Sequence, residues 1–87
     1  MVTVHVASVL FEYTSDASTV EAEGASLGAL LKDLDRRYPG LRFRVIDEQD
    51  RVRPHMNVFV GGRPTRDLAT RVGGADEVHI LQALSGG

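Results

Sequence analysis

Ser26-Leu27-Gly28-Ala29-Leu30-Leu31-Lys32-Asp33-Leu34-Asp35-Arg36-Arg37-Tyr38-Pro39-Gly40 is the stretch on which the architecture turns. Leu27, Leu30, Leu31, Leu34 and Tyr38 recur at helical spacing on one face, and Lys32, Asp33, Asp35 and Arg36 lie opposite. Ser26 is placed to accept a hydrogen bond from the free N–H groups of a first turn, and Pro39-Gly40 ends the run. Residues 26–38 therefore predict one amphipathic helix of about 20 Å, long enough to lie across a small sheet. Its apolar face needs a partner, and the flanking segments supply one.

Upstream, Val2, Val4 and Val6 alternate with Thr3, His5 and Ala7, the period of a strand buried on one face. After residues 10–15, the run 18–23 places Val20 and Ala22 inward and completes an N-terminal hairpin. Downstream, residues 41–46 follow Pro-Gly and precede a polar stretch, so they read as irregular or short helical. Met56-Asn57-Val58-Phe59-Val60 is a strand, Gly61-Gly62 supplies the positive φ angles of a tight turn, and Arg63-Pro64-Thr65 returns as a short edge strand. Residues 67–72 have room for a single turn, Gly73-Gly74 is a loop, and residues 77–83 form the last strand. The order is strand, strand, helix, strand, short strand, strand.

Composition narrows the class. Eighty-seven residues, 43% hydrophobic and 25% charged, make one domain with a modest core and no room for a buried, multi-walled active site. A role as substrate or carrier fits this size better than a role as enzyme, and no catalytic residue is assigned. The 12 acidic and 10 basic residues are interspersed, which disfavours nucleic acid as a partner. There is no cysteine, so disulfides, thiolate metal sites and a cysteine nucleophile are excluded. His5, His55 and His79 have no carboxylate or thiolate at a spacing that completes a metal site, and none is expected. The pairs Asp33 and Asp35, and Glu21 and Glu23, read as solvated faces. The sequence starts in strand alternation without a basic, apolar leader, and no apolar run approaches membrane-spanning length. A cytoplasmic monomer with no membrane partner is the expectation.

The chain finishes with Leu84-Ser85-Gly86-Gly87. Two residues without a Cβ can pass through a channel too narrow for a side chain, which makes the Gly87 carboxylate deliverable to a distant reactive centre. A carboxylate is a poor electrophile until it is joined to AMP as a mixed anhydride, which a thiolate, persulfide or amine then attacks. A frayed end or a cloning remnant is the plain alternative.

The element order and this ending resemble the ubiquitin-like β-grasp fold. More narrowly, they resemble the bacterial sulfur-carrier family that includes the small subunit of molybdopterin synthase, the thiamine carrier and the carrier linked to cysteine synthesis. The similar segments are residues 26–31 running into Arg37-Tyr38-Pro39-Gly40-Leu41, then Asn57-Val58-Phe59-Val60-Gly61-Gly62, and Asp76-Glu77-Val78. The loop Gly73-Gly74-Ala75-Asp76 departs from the Asp-Gly-Asp-Glu turn common in relatives. The resemblance implies an α+β fold, a mixed sheet of four to five strands packed on one main helix, with a domain at 1–84 and a flexible tail at 85–87.

It also implies an E1-like adenylyltransferase that uses ATP and Mg, with no cofactor bound to the chain itself. Gly87 becomes an adenylate and then a thiocarboxylate through a sulfurtransferase or persulfide donor. A sulfur-accepting biosynthetic enzyme follows, with cysteine or a sulfur-containing secondary metabolite as the favoured product. Gly86, Ser85 and Leu84 would thread the tail. The molybdopterin synthase small subunit, a modifier conjugated to lysines of other proteins, and a plain binding module are the competing readings. Lys32 is the only lysine of the chain, which argues against chains built on the domain itself.

Strand parity adds a docking surface. If Val78 and Ile80 face the helix, His79, Leu81 and Ala83 face the other way, as does Phe59 if Val58 and Val60 are core. His5 then becomes a possible neighbour of His79. Phe59, His79, Leu81 and Ala83 are the expected partner-binding patch, similar to the exposed patch of ubiquitin with its apolar residue and histidine. Singly exposed apolar residues need no such explanation, so contiguity is what counts.

Overall fold

A computed structural model describes residues 1–83. Strand β1 (Val2–Val6) leads through a 3-10 segment (Ser8–Tyr13) into β2 (Thr19–Ala22), followed by helices α1 (Leu27–Arg37) and α2 (Leu41–Val45). Strands β3 (Met56–Val60), β4 (Arg63–Thr65) and β5 (Glu77–Gln82) complete the fold. They form one five-stranded sheet in the order β2-β1-β5-β3-β4. The central pair β1–β5 is parallel, and β1–β2, β3–β5 and β3–β4 are antiparallel. The sheet is therefore mixed, as the family resemblance implies.

One face of this sheet is apolar because the inward positions of β1, β2 and β3, with Val78 and Ile80 of β5, carry apolar side chains. Val2, Val4, Val6, Val20, Ala22, Met56, Val58, Val60, Val78 and Ile80 are buried, and Leu27, Leu30, Leu31 and Leu34 of α1 close over them. Each fully buried leucine, valine or isoleucine contributes about 1.5–3 kcal/mol of transfer free energy. Leu41 and Val45 of α2, with Ile46 and Val52, extend the same core past the end of α1.

Helix α1 starts where expected, because its first N–H groups all find acceptors. Ser26 is extended and its Oγ accepts from Ala29 N at 3.2 Å. Leu27 N and Gly28 N donate to the carbonyls of Thr70 and Leu68, each at 2.8 Å. The loop before β5 thus acts as a second cap, satisfying donors that a helix end leaves open. Tyr38 is not the last turn of the helix but its half-buried C-cap.

Four local features differ from, or go beyond, the sequence reading. The 3-10 segment occupies part of residues 10–15, which read only as a connection; it buries Leu10 completely. Residues 41–45 are helical, the second of the two readings left open for that stretch. Strand β5 stops at Gln82, although Ala83 N still donates to His55 O at 2.7 Å. Asp33 and Asp35 are not merely solvated. Asp33 accepts from Glu23 N, Arg36 and Arg37, tying the end of β2 to α1, and Asp35 accepts from Gly40 N and Arg42 N, tying α1 to α2.

At the β3–β4 turn, Gly61 and Gly62 have φ of 57° and 82°, the left-handed pair that a two-residue hairpin turn demands. Arg66, just after β4, donates to the carbonyls of Met56, Val52 and Arg53 and pins the polar loop that precedes β3.

Candidate docking face

Among the described residues no helix covers the second face of the sheet, and the register fixes what stands on it. One row crosses all five strands: Thr19 beside His5, His5 beside His79, His79 beside Phe59, and Phe59 beside Pro64. A second row pairs Asn57 with Leu81, and beyond it the Ala83 N–H meets the His55 carbonyl. All of these residues share the parity opposite to the core positions Val58, Val60, Val78 and Ile80.

Within the first row the imidazoles of His5 and His79 stack, with ring centroids 4.3 Å apart and planes 12° from parallel. His5 reaches in two directions: Nε2 lies 2.5 Å from Glu77 Oε1, and Nδ1 lies 3.4 Å from Thr19 Oγ1. The hydrogen bond and charge of His5, with a smaller contribution from His79, hold the Glu77 carboxyl below its ordinary value. The row is thus acidic at its Glu77 side and apolar at Phe59. Leu81 is 40% exposed, while Phe59, His79 and Ala83 are half-buried. Beside Phe59, a shallow depression of about 300 Å³ runs between β3 and β4, lined by Asn57, Pro64, Thr65 and Arg66.

The structure therefore brings the four expected patch residues, Phe59, His79, Leu81 and Ala83, onto one face in three successive rows. It adds Thr19, Pro64 and Glu77. Thr19 and Pro64 were missed because their place depends on the strand order and registers, which alternation within single strands does not contain; Glu77 shares the parity of His79 on β5, and its part in the row came from the pairing with His5. The stacking of His5 on His79 was legible once β1 and β5 were taken as neighbours. Leu84, Ser85, Gly86 and Gly87 lie outside the described residues.

Among the described residues, no group of three or more histidines, cysteines or acidic residues is placed to hold a metal ion. Among them, too, no helix is long and apolar enough to cross a membrane. What the arrangement offers is a surface: a partly apolar outer face centred on β5.

A mixed sheet in this order, with a parallel central pair and one main helix crossing its inner face, defines a ubiquitin-like β-grasp protein. Within that class, the chain belongs to the ThiS family, whose profile matches residues 4–87. It is 34% identical to the sulfur carrier protein CysO of Mycobacterium tuberculosis, covering 99% of this chain and 98% of that protein. It is also 34% identical to small archaeal modifier protein 3 of Haloferax volcanii, covering 75% of this chain and 73% of that protein. The crystal structure of M. tuberculosis CysO superposes with a TM-score of 0.91 at 30% identity, covering 97% of this chain and 100% of that chain. A chain of the BexX/CysO complex of Amycolatopsis orientalis gives the same TM-score at 29% identity over the full length of both chains.

Proposed function

We propose that this chain is a sulfur carrier rather than a catalyst, with the Gly87 carboxylate as the group that partner enzymes transform. The observation that carries the reading is the likeness to the CysO sulfur carriers along essentially the whole chain, with the family match running through Gly87. The carboxylate oxygen attacks the α-phosphate of ATP in an E1-like adenylyltransferase that supplies Mg, pyrophosphate leaves, and an acyl adenylate forms. A persulfide sulfur then displaces AMP, and a thiol cleaves the resulting acyl disulfide, leaving a thiocarboxylate on Gly87 and a disulfide on the donor. The thiocarboxylate is a soft nucleophile that delivers sulfur to a biosynthetic acceptor, for which cysteine or a sulfur-containing secondary metabolite is the favoured product.

In this reading the outer sheet face, with Leu81, Phe59 and His79 at its centre, seats the partner while the tail is drawn away from the domain. The test is intact-mass measurement after incubation with ATP, Mg, an adenylating enzyme of the CysO type and a persulfide donor. The expected result is a gain equal to sulfur replacing oxygen, located on the C-terminal peptide. The variant lacking Gly87 is expected to gain nothing while keeping its melting temperature, because the buried core runs from Val2 to Ile80. No gain with the full chain overturns the proposal.

A second reading, attachment of Gly87 to lysines of other proteins, draws on the likeness to small archaeal modifier protein 3. An isopeptide-linked adduct in the same incubation, without the sulfur-for-oxygen product, would favour it.

A further inference from the structure

Helix α2 uses only part of its circumference for the core. Leu41 and Val45 are buried, whereas Phe43 and Arg44 point outward, and Phe43 is 54% exposed. A lone exposed phenylalanine needs no explanation, but this one is not alone. The Arg53 guanidinium lies over its ring, 4.6 Å from the centroid, and Arg53 Nε donates to the Phe43 carbonyl at 2.8 Å. Together with Arg44 and His55 these two residues line a groove of about 250 Å³. Stacking on an aromatic face holds a guanidinium in a fixed orientation without neutralising it.

The charge around the groove runs against that of the chain. The net charge is -2, yet the groove is lined by two arginines, Arg44 and Arg53, and by no acidic residue. Of the three acids that lie between Arg44 and Arg53 in sequence, Asp50 is paired with Arg42 and Asp47 with Arg51, whose own charges are thereby spent, and Glu48 is exposed. The groove is also continuous with the docking face: His55, one of its walls, pairs through its carbonyl with Ala83, one row beyond Leu81 and Asn57.

We infer that the Phe43–Arg44–Arg53–His55 groove is a second docking point, which receives an acidic segment of a partner protein carrying an apolar side chain. Carboxylates of the segment meet Arg44 and the outward nitrogens of Arg53, and its apolar side chain packs on Phe43. Arginine and aromatic anchors of this kind concentrate binding energy, and the surrounding positive charge speeds encounter. A protein that covers Leu81 and Ala83 reaches the groove without crossing the domain. The inference rests on the sulfur-carrier reading only in taking a protein as the occupant.

The test is amide NMR titration of the full chain with three probes: a capped glutamate-rich peptide with one phenylalanine, its glutamine counterpart, and a short uridine oligonucleotide. The glutamate peptide is expected to shift Phe43, Arg44, Arg53, His55 and Ala83. Its affinity should fall at least about five-fold when sodium chloride is raised from about 50 mM to about 300 mM. Arg44→Glu should cause a similar loss, and Phe43→Ser serves as a second variant should the first fail to give a native spectrum. No shift in the groove, equal binding of the glutamine peptide, tighter binding of the oligonucleotide, or unchanged affinity in a natively folded variant overturns the inference. None of these readouts requires activation of Gly87, so a failed mass-gain experiment and a failed titration are separate results.

Discussion

Gly24 shows how a single residue can hold two layers together. A Cβ built on it would stand 2.4 Å from Leu30 N and 2.6 Å from Leu30 Cα, so the chain leaving β2 lies directly against the backbone of α1. Gly24→Ala is expected to destabilise the domain by about 1–3 kcal/mol, the usual cost of overpacking, read as a lower urea midpoint with an unchanged slope. An unchanged midpoint would mean that the helix and the chain beside it move apart freely. Nothing in the sequence singles Gly24 out, because a close approach leaves no periodic trace. Arg66 was equally hidden, since its value lies in three carbonyls from residues 52–56 that only the folded loop gathers. By contrast Ser26 was legible, because a cap is a local property of a helix start.

At the scale of elements, Asp33 joins β2 to α1. The N–H of Glu23 first, then Arg37 and Arg36, hold its carboxyl well below the ordinary value of 3.8. A carboxyl depressed on folding contributes stability above its unfolded pKa, and that contribution disappears as the pH falls through the folded value. Asp33→Asn should therefore lower stability at neutral pH and flatten the loss of stability below about pH 4, as measured by urea midpoints across an acid series. An acid limb identical to that of the parent would remove Asp33 from this role. The elements themselves were readable wherever one face is buried: β1, β3 and α1 follow from the spacing of their valines and leucines. The 3-10 segment was not, because Leu10 is its only fully buried residue and one buried position among consecutive apolar ones defines no period.

For the whole molecule, the pairing of β1 with β5 and of β5 with β3 turns separate strand parities into one surface. Leu81→Asp is expected to weaken binding to the adenylating enzyme at least about ten-fold while changing folding stability by less than about 0.5 kcal/mol, because Leu81 faces away from the core. Calorimetric titration beside a melting curve checks both, and unchanged affinity would move docking off this face. The candidate patch was legible in the sequence to the extent that parity alone determines it; its continuity needed the strand order. That order has a temporal side as well. Among the described strands, the one latest in chain order, β5, fills the middle of the sheet, between β1 and β3. Contacts this distant along the chain form late and slowly. Until β5 is in place, His5 and Phe59 both lack His79, and the row that spans the sheet does not exist. A nascent or partly folded chain thus carries the residues of the candidate face without displaying it, and under the proposed function recognition of that face doubles as a check that folding is complete.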